Sequence, residues 1–439
     1  MVFRAGRTWV GELKPASSGT IEHPIIIGRY GSGPLPRLDG GGAVEDVVLL
    51  KNVQGIEVHD LEIVNHGDSQ APRRGVHIVL DNFGTARHIV LSGLYIHDVN
   101  GTNARKDNGG IIFRTIGNLV PSRFDDLRIE RNIVWRVDRS GIAAQSYHAT
   151  RSHWFPSLHV VIRDNYLDDI GGDGIVPWAT DRALIEHNIA LYCNHRAGSY
   201  NAGIWPWSTD NSIVQLNEAA FTQTTKDGEG FDSDYNSRNT LFEYNYSHDN
   251  QGGFMLICTP VKRDETNNFG NTGTVIRDNV SWNDQNRLIN LSGADDVQVE
   301  NNVFYIAPDT DVQALLVSSW NGWSSNALFQ DNTFYVEGHA SFGHAVERDA
   351  EGKYTIAPGW GLAKDIRLSG NRYIGPDAEA PEGEHETVDK SGVVPRLLGG
   401  EPTFDPADPS QFKAFLQKHR IWMMAMLRDA LKADIHLAS

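Results

Sequence analysis

The sequence predicts an all-β protein: a right-handed parallel β-helix solenoid of about eleven coils, closed by a C-terminal helical segment. Three observations predict it. A large apolar residue, two residues and then Asn recur nine times, ending at Asn132, Asn165, Asn188, Asn217, Asn245, Asn279, Asn302, Asn332 and Asn371. Successive Asn positions lie roughly 23 to 39 residues apart, the range of a solenoid repeat. Second, Gly followed by an apolar residue marks the coils at Gly110-Ile111, Gly141-Ile142, Gly174-Ile175, Gly203-Ile204, Gly230-Phe231 and Gly253-Phe254. Third, residues around the Asn alternate as strands do, and helical periodicity is nearly absent between residues 20 and 375. A β-propeller is the main rival, but its blade repeat is longer and the chain lacks the Trp-Asp signature.

Each element has a reason. Val160–Leu167 reads as two short strands joined at Asn165. Asn tolerates left-handed backbone and suits the bend between them, and stacked amides would bond along the ladder. These Asn residues are expected to build the fold and do no chemistry. The Gly landmark should open a further strand in each coil. Residues 1–375 are assigned to the solenoid and 376–409, rich in Pro, Glu and Gly, to a linker. Residues 410–439 are assigned to a helix that covers the open end or packs on the coils, since exposed strand edges aggregate. Phe412, Phe415, Leu416, Met423, Met426 and Leu427 fall near one face of it.

The chain has 439 residues, a formal charge of −17 and eleven Trp. An acidic surface disfavours nucleic acid, whose phosphates need cationic contacts. No apolar run reaches membrane-spanning length, so no membrane partner is expected. The two cysteines, Cys193 and Cys258, give no disulfide framework and no metal-ligand spacing. The chain opens on a strand-like segment, Val2–Gly6, without a signal peptide, as a chain shortened at its start also would. Oligomeric state is not legible.

Aligning the coils on the Gly landmark sketches a surface. One residue before Gly stand Ser140, Asp173, Ala202, Glu229 and Gly252. Two after it stand Ala143, Val176, Trp205, Asp232 and Met255, and four after it Gln145, Trp178, Trp207, Asp234 and Ile257. The Ile or Phe directly after Gly should point inward, which sends the second and fourth positions outward. One face then carries Trp178, Trp205, Trp207, Asp232 and Asp234, with Asp173 and Glu229 at its rim. Lys226, Asp227, His195 and His248 fall on its lips. Rings stack on the apolar faces of sugars, while carboxylates bind hydroxyls and move protons. Plainer readings stand beside these. Asp173 sits in good turn chemistry, Asp232 and Asp234 could be a solvated pair, and the histidines are commonly hydrogen-bonding turn residues.

The Asn ladder resembles the pectin-lyase-like superfamily of right-handed parallel β-helices over roughly residues 8 to 375. The opening coil, from Pro15–Gly19 through Pro24–Ile27 to Leu38-Asp39-Gly40, is similar to that of its secreted or periplasmic carbohydrate-active members. The stretches Asp227–Asp234 and Tyr246–Gly253 resemble β-helix proteins near bacterial glycosidases. The resemblance implies secreted or periplasmic location and a carbohydrate substrate.

The combined expectation is a glycoside hydrolase with Asp173, Glu229 and Asp232 containing the catalytic pair. Asp227, Asp234, Lys226, His195, His248 and the three Trp would bind substrate. Four acids between residues 227 and 234 repel one another, so one should have a raised pKa. No cofactor is required; Ca²⁺ held by those acids is the secondary reading. An Asp173–Glu229 pair two coils apart would give inversion, and a closer Glu229–Asp232 pair retention. The runner-up is a polysaccharide lyase using Lys226, Arg238 or His248 as base, and the third reading is a non-catalytic glycan-binding solenoid.

Overall fold

A computed structural model describes residues 1–224, 226–259, 270–350, 353–432 and 435. The chain is a right-handed parallel β-helix that divides into two compact units. One comprises Met1–Ser199 with Phe404–Lys413, the other Tyr200–Thr403 with Ala414–Ser439.

Three parallel sheets run through the first unit. The first includes Thr85–Ser92, Arg123–Glu130 and Ser157–Arg163; the second includes Tyr95–Val99, Ile133–Val137 and Tyr166–Ile170. The third holds Asp46–Lys51, Arg74–Asp81, Gly109–Ile116, Ser140–Ser146 and Ile175–Val176. The second unit repeats the plan. Leu241–Glu243 and Val275–Arg277 lie in its first sheet, Glu218–Ala220 and Tyr246–His248 in its second. Glu229–Ser233, Gly253–Cys258, Arg287–Ser292, Asp311–Ser318 and His339–Arg348 form its third. Tyr354–Ala357 adds to that edge in the antiparallel sense.

The Asn residues stand at the corner between first and second sheets. In the first unit the Asn132 and Asn165 side-chain amides donate at 2.9 Å to Asn165 and Asn188. In the second unit the series runs from Asn217 through Asn245, Asn279, Asn302 and Asn332 to Asn371. Each amide oxygen also accepts the backbone N–H of the preceding Asn, as at Asn217→Asn245, 3.0 Å. Glu386 ends the series, accepting from Asn371 Nδ2 at 3.1 Å.

The bend itself differs from the sequence expectation. The left-handed residue is the one before the Asn: Arg131, Asp164, His187, Leu216, Tyr244, Asp278, Asn301 and Asp331 all have φ between 50° and 57°. The Asn keeps ordinary backbone because its side chain must lie along the stack. The turning strain of its neighbour is held by a buried amide with every hydrogen-bonding group used.

The helix Phe412–Leu431 supplies Trp422, Met423, Met426, Leu427 and Ala430 to a cluster with Tyr246, Val280, Tyr305, Tyr335 and Ile374. These latter residues lie on strands of the second sheet. The apolar stripe therefore lies on the outer face of that sheet.

Candidate active site

The third sheet of the second unit is the frame for the acidic stretch. Phe231 points inward, its ring 6.4 Å from Phe242 and 6.1 Å from Phe254. Gly230 also faces inward. A Cβ there would come within 2.5 Å of Ser247 Oγ and 2.8 Å of Asn250 Nδ2. Two successive inward positions at this corner reset the strand alternation, so Glu229 and Asp232 are both turned away from the core. Asp234 follows on the same side as Asp232.

The register corrects the coil alignment at one point. Glu229 pairs with Gly253 rather than Gly252, and Asp232 with Leu256 rather than Met255. Met255 and Ile257 therefore pair with the inward Phe231 and Ser233. Gly253 takes φ +128° and would place a Cβ 1.4 Å from Arg287 O, so this glycine fills the rim position itself. The neighbour of Asp234 in the stack becomes Cys258, whose thiol lies 3.1 Å from Asp234 Oδ1.

Glu229 is fully buried and ion-paired to Arg287 Nη2 at 2.9 Å, with Arg287 also buried. Arg287 further donates from Nη2 to the Asp227 carbonyl at 3.2 Å and from Nε to the Gly252 carbonyl at 3.4 Å. Burial pushes the Glu229 carboxyl up to about 7; Arg287 opposes this and the Asp227 charge adds to it. Among the described residues Glu229 Oε2 has no hydrogen-bond partner. Asp232 is buried, whereas Asp227 and Asp234 are each partly exposed. The Asp234 carboxylate accepts the Tyr235 N–H at 2.6 Å as well as the Cys258 S–H. Bonds of this kind favour the ionised form.

Trp205 and Trp207 stack at 5.7 Å and 28°, and Tyr235 stands edge-on to Trp207 at 6.0 Å. Trp205 itself is buried, leaving Trp207 and Tyr235 as the partly exposed rings. Lys226 is exposed at the lip.

Three other expected members, Asp173, Trp178 and His195, belong to the first unit. Asp173 belongs to the first unit and is fully buried between Lys106 Nζ at 3.0 Å and Arg139 Nη1 at 3.2 Å. The inverting Asp173–Glu229 scheme required both carboxylates at an open rim. Each is instead enclosed and tied to cations of its own unit. Trp178 starts a short strand, Trp178–Asp181, that pairs with Ser157–Arg163 of the first sheet. Pro177, lacking an N–H, ends the third-sheet strand at Val176. His195 lies in the first unit, 5.6 Å from the Tyr192 ring.

His248 is a clear correction. It lies on the second sheet, buried against Glu218 at 3.3 Å and Asp249 at 2.8 Å, not on the lip of the acidic face. Burial alone lowers the pKa of its imidazole, but Asp249 and Glu218 outweigh this and hold it at about 10. The lyase scheme thereby loses one of its bases, and Arg238 is engaged by Asp210 at 2.8 Å.

Asp232, Asp234 and Cys258 do bring their ligand atoms within 4.8 Å of one another. The thiol, however, is pushed well up by burial and by both aspartates, and it donates to Asp234. The protonated thiol adds nothing for Ca²⁺, which takes six to eight oxygens, so of these three only the two aspartates would serve such an ion.

The residues sequence reasoning missed are Arg287, Tyr235 and Cys258. A single basic residue in a rim register position, Arg287 following Gly253, was the available signal for the first.

No family model matches the chain. Against curated proteins, it is 30% identical over 367 residues to a lacto-N-biosidase of Bifidobacterium longum subsp. longum, covering 67% of this chain and 22% of that protein. Among solved structures it is similar to a GH136 lacto-N-biosidase from Eubacterium ramulus. The selenomethionine form superposes with a TM-score of 0.64 and the native form with 0.62. Both are 28% identical over 77% of this chain and 61% of theirs. The chain thus spans about a fifth of the curated relative and three-fifths of the solved one. It is a parallel β-helix protein whose similarity, in sequence and in fold together, runs to the lacto-N-biosidases.

Proposed function

We propose that the chain acts as a glycoside hydrolase, with its site on the Asp227–Asp234 segment, and that it releases a lacto-N-biose-type disaccharide from a glycan. The observation that carries this reading is the exposure pattern of that segment. Two carboxylates that a sugar can touch, Asp227 and Asp234, flank two that it cannot, Glu229 and Asp232, beside the rings of Trp207 and Tyr235. The similarity to lacto-N-biosidases supports the substrate class.

The roles follow from protonation. Asp234 accepts two hydrogen bonds, which favour the carboxylate that a nucleophile or a base toward water needs. Asp227 and Glu229 form a like-charge pair in which burial keeps Glu229 near neutrality in its acid form. Up to about pH 7 Glu229 holds a proton, and in this reading that proton replaces the one the more exposed Asp227 gives to the sugar. Asp227 then protonates the leaving oxygen while Asp234 meets the oxocarbenium-like transition state. Glu229 and Asp232 tune and support the pair rather than touch the sugar. Lys226 would bind a sugar hydroxyl at the lip. No step needs a metal or organic cofactor.

The test is turnover of an aryl lacto-N-bioside, with products resolved by mass spectrometry. Release of intact lacto-N-biose supports the reading. No turnover of this or any neutral oligosaccharide, together with unsaturated uronates from an alginate or pectin digest, overturns it in favour of a lyase.

A further inference from the structure

Away from the acidic face, a second polar cluster is enclosed beneath the C-terminal helix. Glu218 and His248 come from adjacent strands of the second sheet of the second unit, Glu401 from the segment before the helix and His419 from the helix. His248 Nε2 lies 3.3 Å from Glu218 Oε1, and His419 Nε2 lies 2.5 Å from Glu218 Oε2. One ligand atom each from Glu218, His248 and Glu401 falls within 4.8 Å of the other two. Glu218, His248 and His419 are all buried, while Glu401 is exposed and opens the cluster to solvent.

The geometry points to a divalent-metal site of the zinc type, and we propose that Glu218, His248 and Glu401 are its ligands, with His419 hydrogen-bonded to Glu218 behind them. Three nitrogen and oxygen donors from the protein with a water in the fourth position make a four-coordinate zinc site. Bonds of 2.0–2.1 Å at tetrahedral angles put donor atoms about 3.3 Å apart, the His248–Glu218 separation being 3.3 Å. A second observation points the same way. His248 Nδ1 is engaged by Asp249 Oδ2 at 2.8 Å, and Asp249 Oδ1 accepts from Asn283 Nδ2 at 2.5 Å. A carboxylate on the far ring nitrogen, itself anchored, is the arrangement that fixes a ligating imidazole, with Nε2 turned to the ion. Around the cluster, Tyr246 stacks on His248 at 4.5 Å, and Phe415 and Trp422 lie 5.6 Å from His419. The ligands are thus set in an apolar shell with one polar entrance, Glu401.

The metal would act as a clasp. Glu218 and His248 belong to the coils, Glu401 to the segment that leads into the helix laid upon them. One ion would join Glu218 to Glu401, far apart in the chain. Binding would therefore stabilise the docked helix and leave the acidic face untouched.

The experiment uses the full chain stripped with a chelator and then offered Zn²⁺ or Ca²⁺ alone. Metal content is read by plasma mass spectrometry and stability by thermal melting. We expect one zinc per chain, a rise in Tm of several degrees with Zn²⁺ and none with Ca²⁺. Glu401→Gln, at an exposed position, and His248→Gln should each abolish the zinc-dependent rise. Asp249→Asn should weaken zinc binding about 10- to 100-fold. Failure of the stripped wild-type chain to take up zinc, or equal uptake by Glu401→Gln and His248→Gln, overturns the proposal.

Discussion

Arg287 and Glu229 form an ion pair of 2.9 Å in which neither side chain is more than 3% exposed. A buried pair of this kind is weak as a source of stability but costly to break by halves, because the remaining charge stays without a partner. Arg287 also holds the carbonyls of Asp227 and Gly252, so it fixes the backbone of the acidic segment from beneath.

We predict that Arg287→Met destabilises the chain, and more strongly above pH about 7, where Glu229 would otherwise ionise, measured by urea denaturation. Arg287→Met combined with Glu229→Gln should recover part of that loss. Equal stabilities for the single and double variants would show that the pair is not coupled.

The raised pKa of Glu229 fixes a sign for pH dependence. Its usual value is 4.5 and its folded value about 7. Below pH 4.5 folded and unfolded chains both hold the proton. Between 4.5 and about 7 the unfolded chain releases it and the folded chain keeps it, so stability contributed by this group falls as pH rises. Above about 7 both are ionised and the contribution is flat. The difference in unfolding free energy between wild type and Glu229→Gln should change across that window and nowhere else. In activity, loss of the Glu229 proton should lower kcat/KM above pH about 7.

For the accessible pair, Asp227→Asn and Asp234→Asn should each reduce kcat by about 10²- to 10⁴-fold with unchanged circular dichroism. Trp207→Ala should chiefly raise KM, by roughly threefold to tenfold, the worth of a ring contact. Full activity in either amide variant would move the chemistry off this segment.

In the ladder, Asn245→Ala removes the acceptor of Asn217 and the donor to Asn279 and to the Val214 carbonyl. At least two buried polar groups lose their partners, so the expected cost is about 2–6 kcal/mol, read by chemical denaturation. A cost under 1 kcal/mol would mean that the amides stack without contributing.

The ladder was legible because one residue type does one job in every coil. Its turning residue was not. Arg131, Leu216 and Tyr244 share φ near 55° but no chemistry, since any residue can be held there once the Asn beside it is fixed. The acidic segment was found by aligning the coils on the Gly landmark, but its roles were read from alternation alone. Gly230 and Phe231 both face inward, and this corner is set by crowding from Ser247 and Asn250, residues of another strand. Exposure then separates Asp227 and Asp234 from Glu229 and Asp232, which no spacing reveals. His248 shows the same limit more sharply. Its partner Glu218 is 30 residues earlier and its neighbour His419 is on the final helix.

The place of Glu386 at the end of the Asn series has a consequence for how such a chain can grow. Every Asn both gives and receives, so the series has a direction and each rung invites another. A carboxylate can only receive. Asn371 gives to Glu386, and nothing is passed on. Duplicating a coil anywhere before Asn371 preserves the relay, whereas a coil added after Glu386 finds no donor to greet it. In that sense Glu386 acts as a stop codon written in hydrogen bonds, and Glu386→Asn is the change that would let the array lengthen.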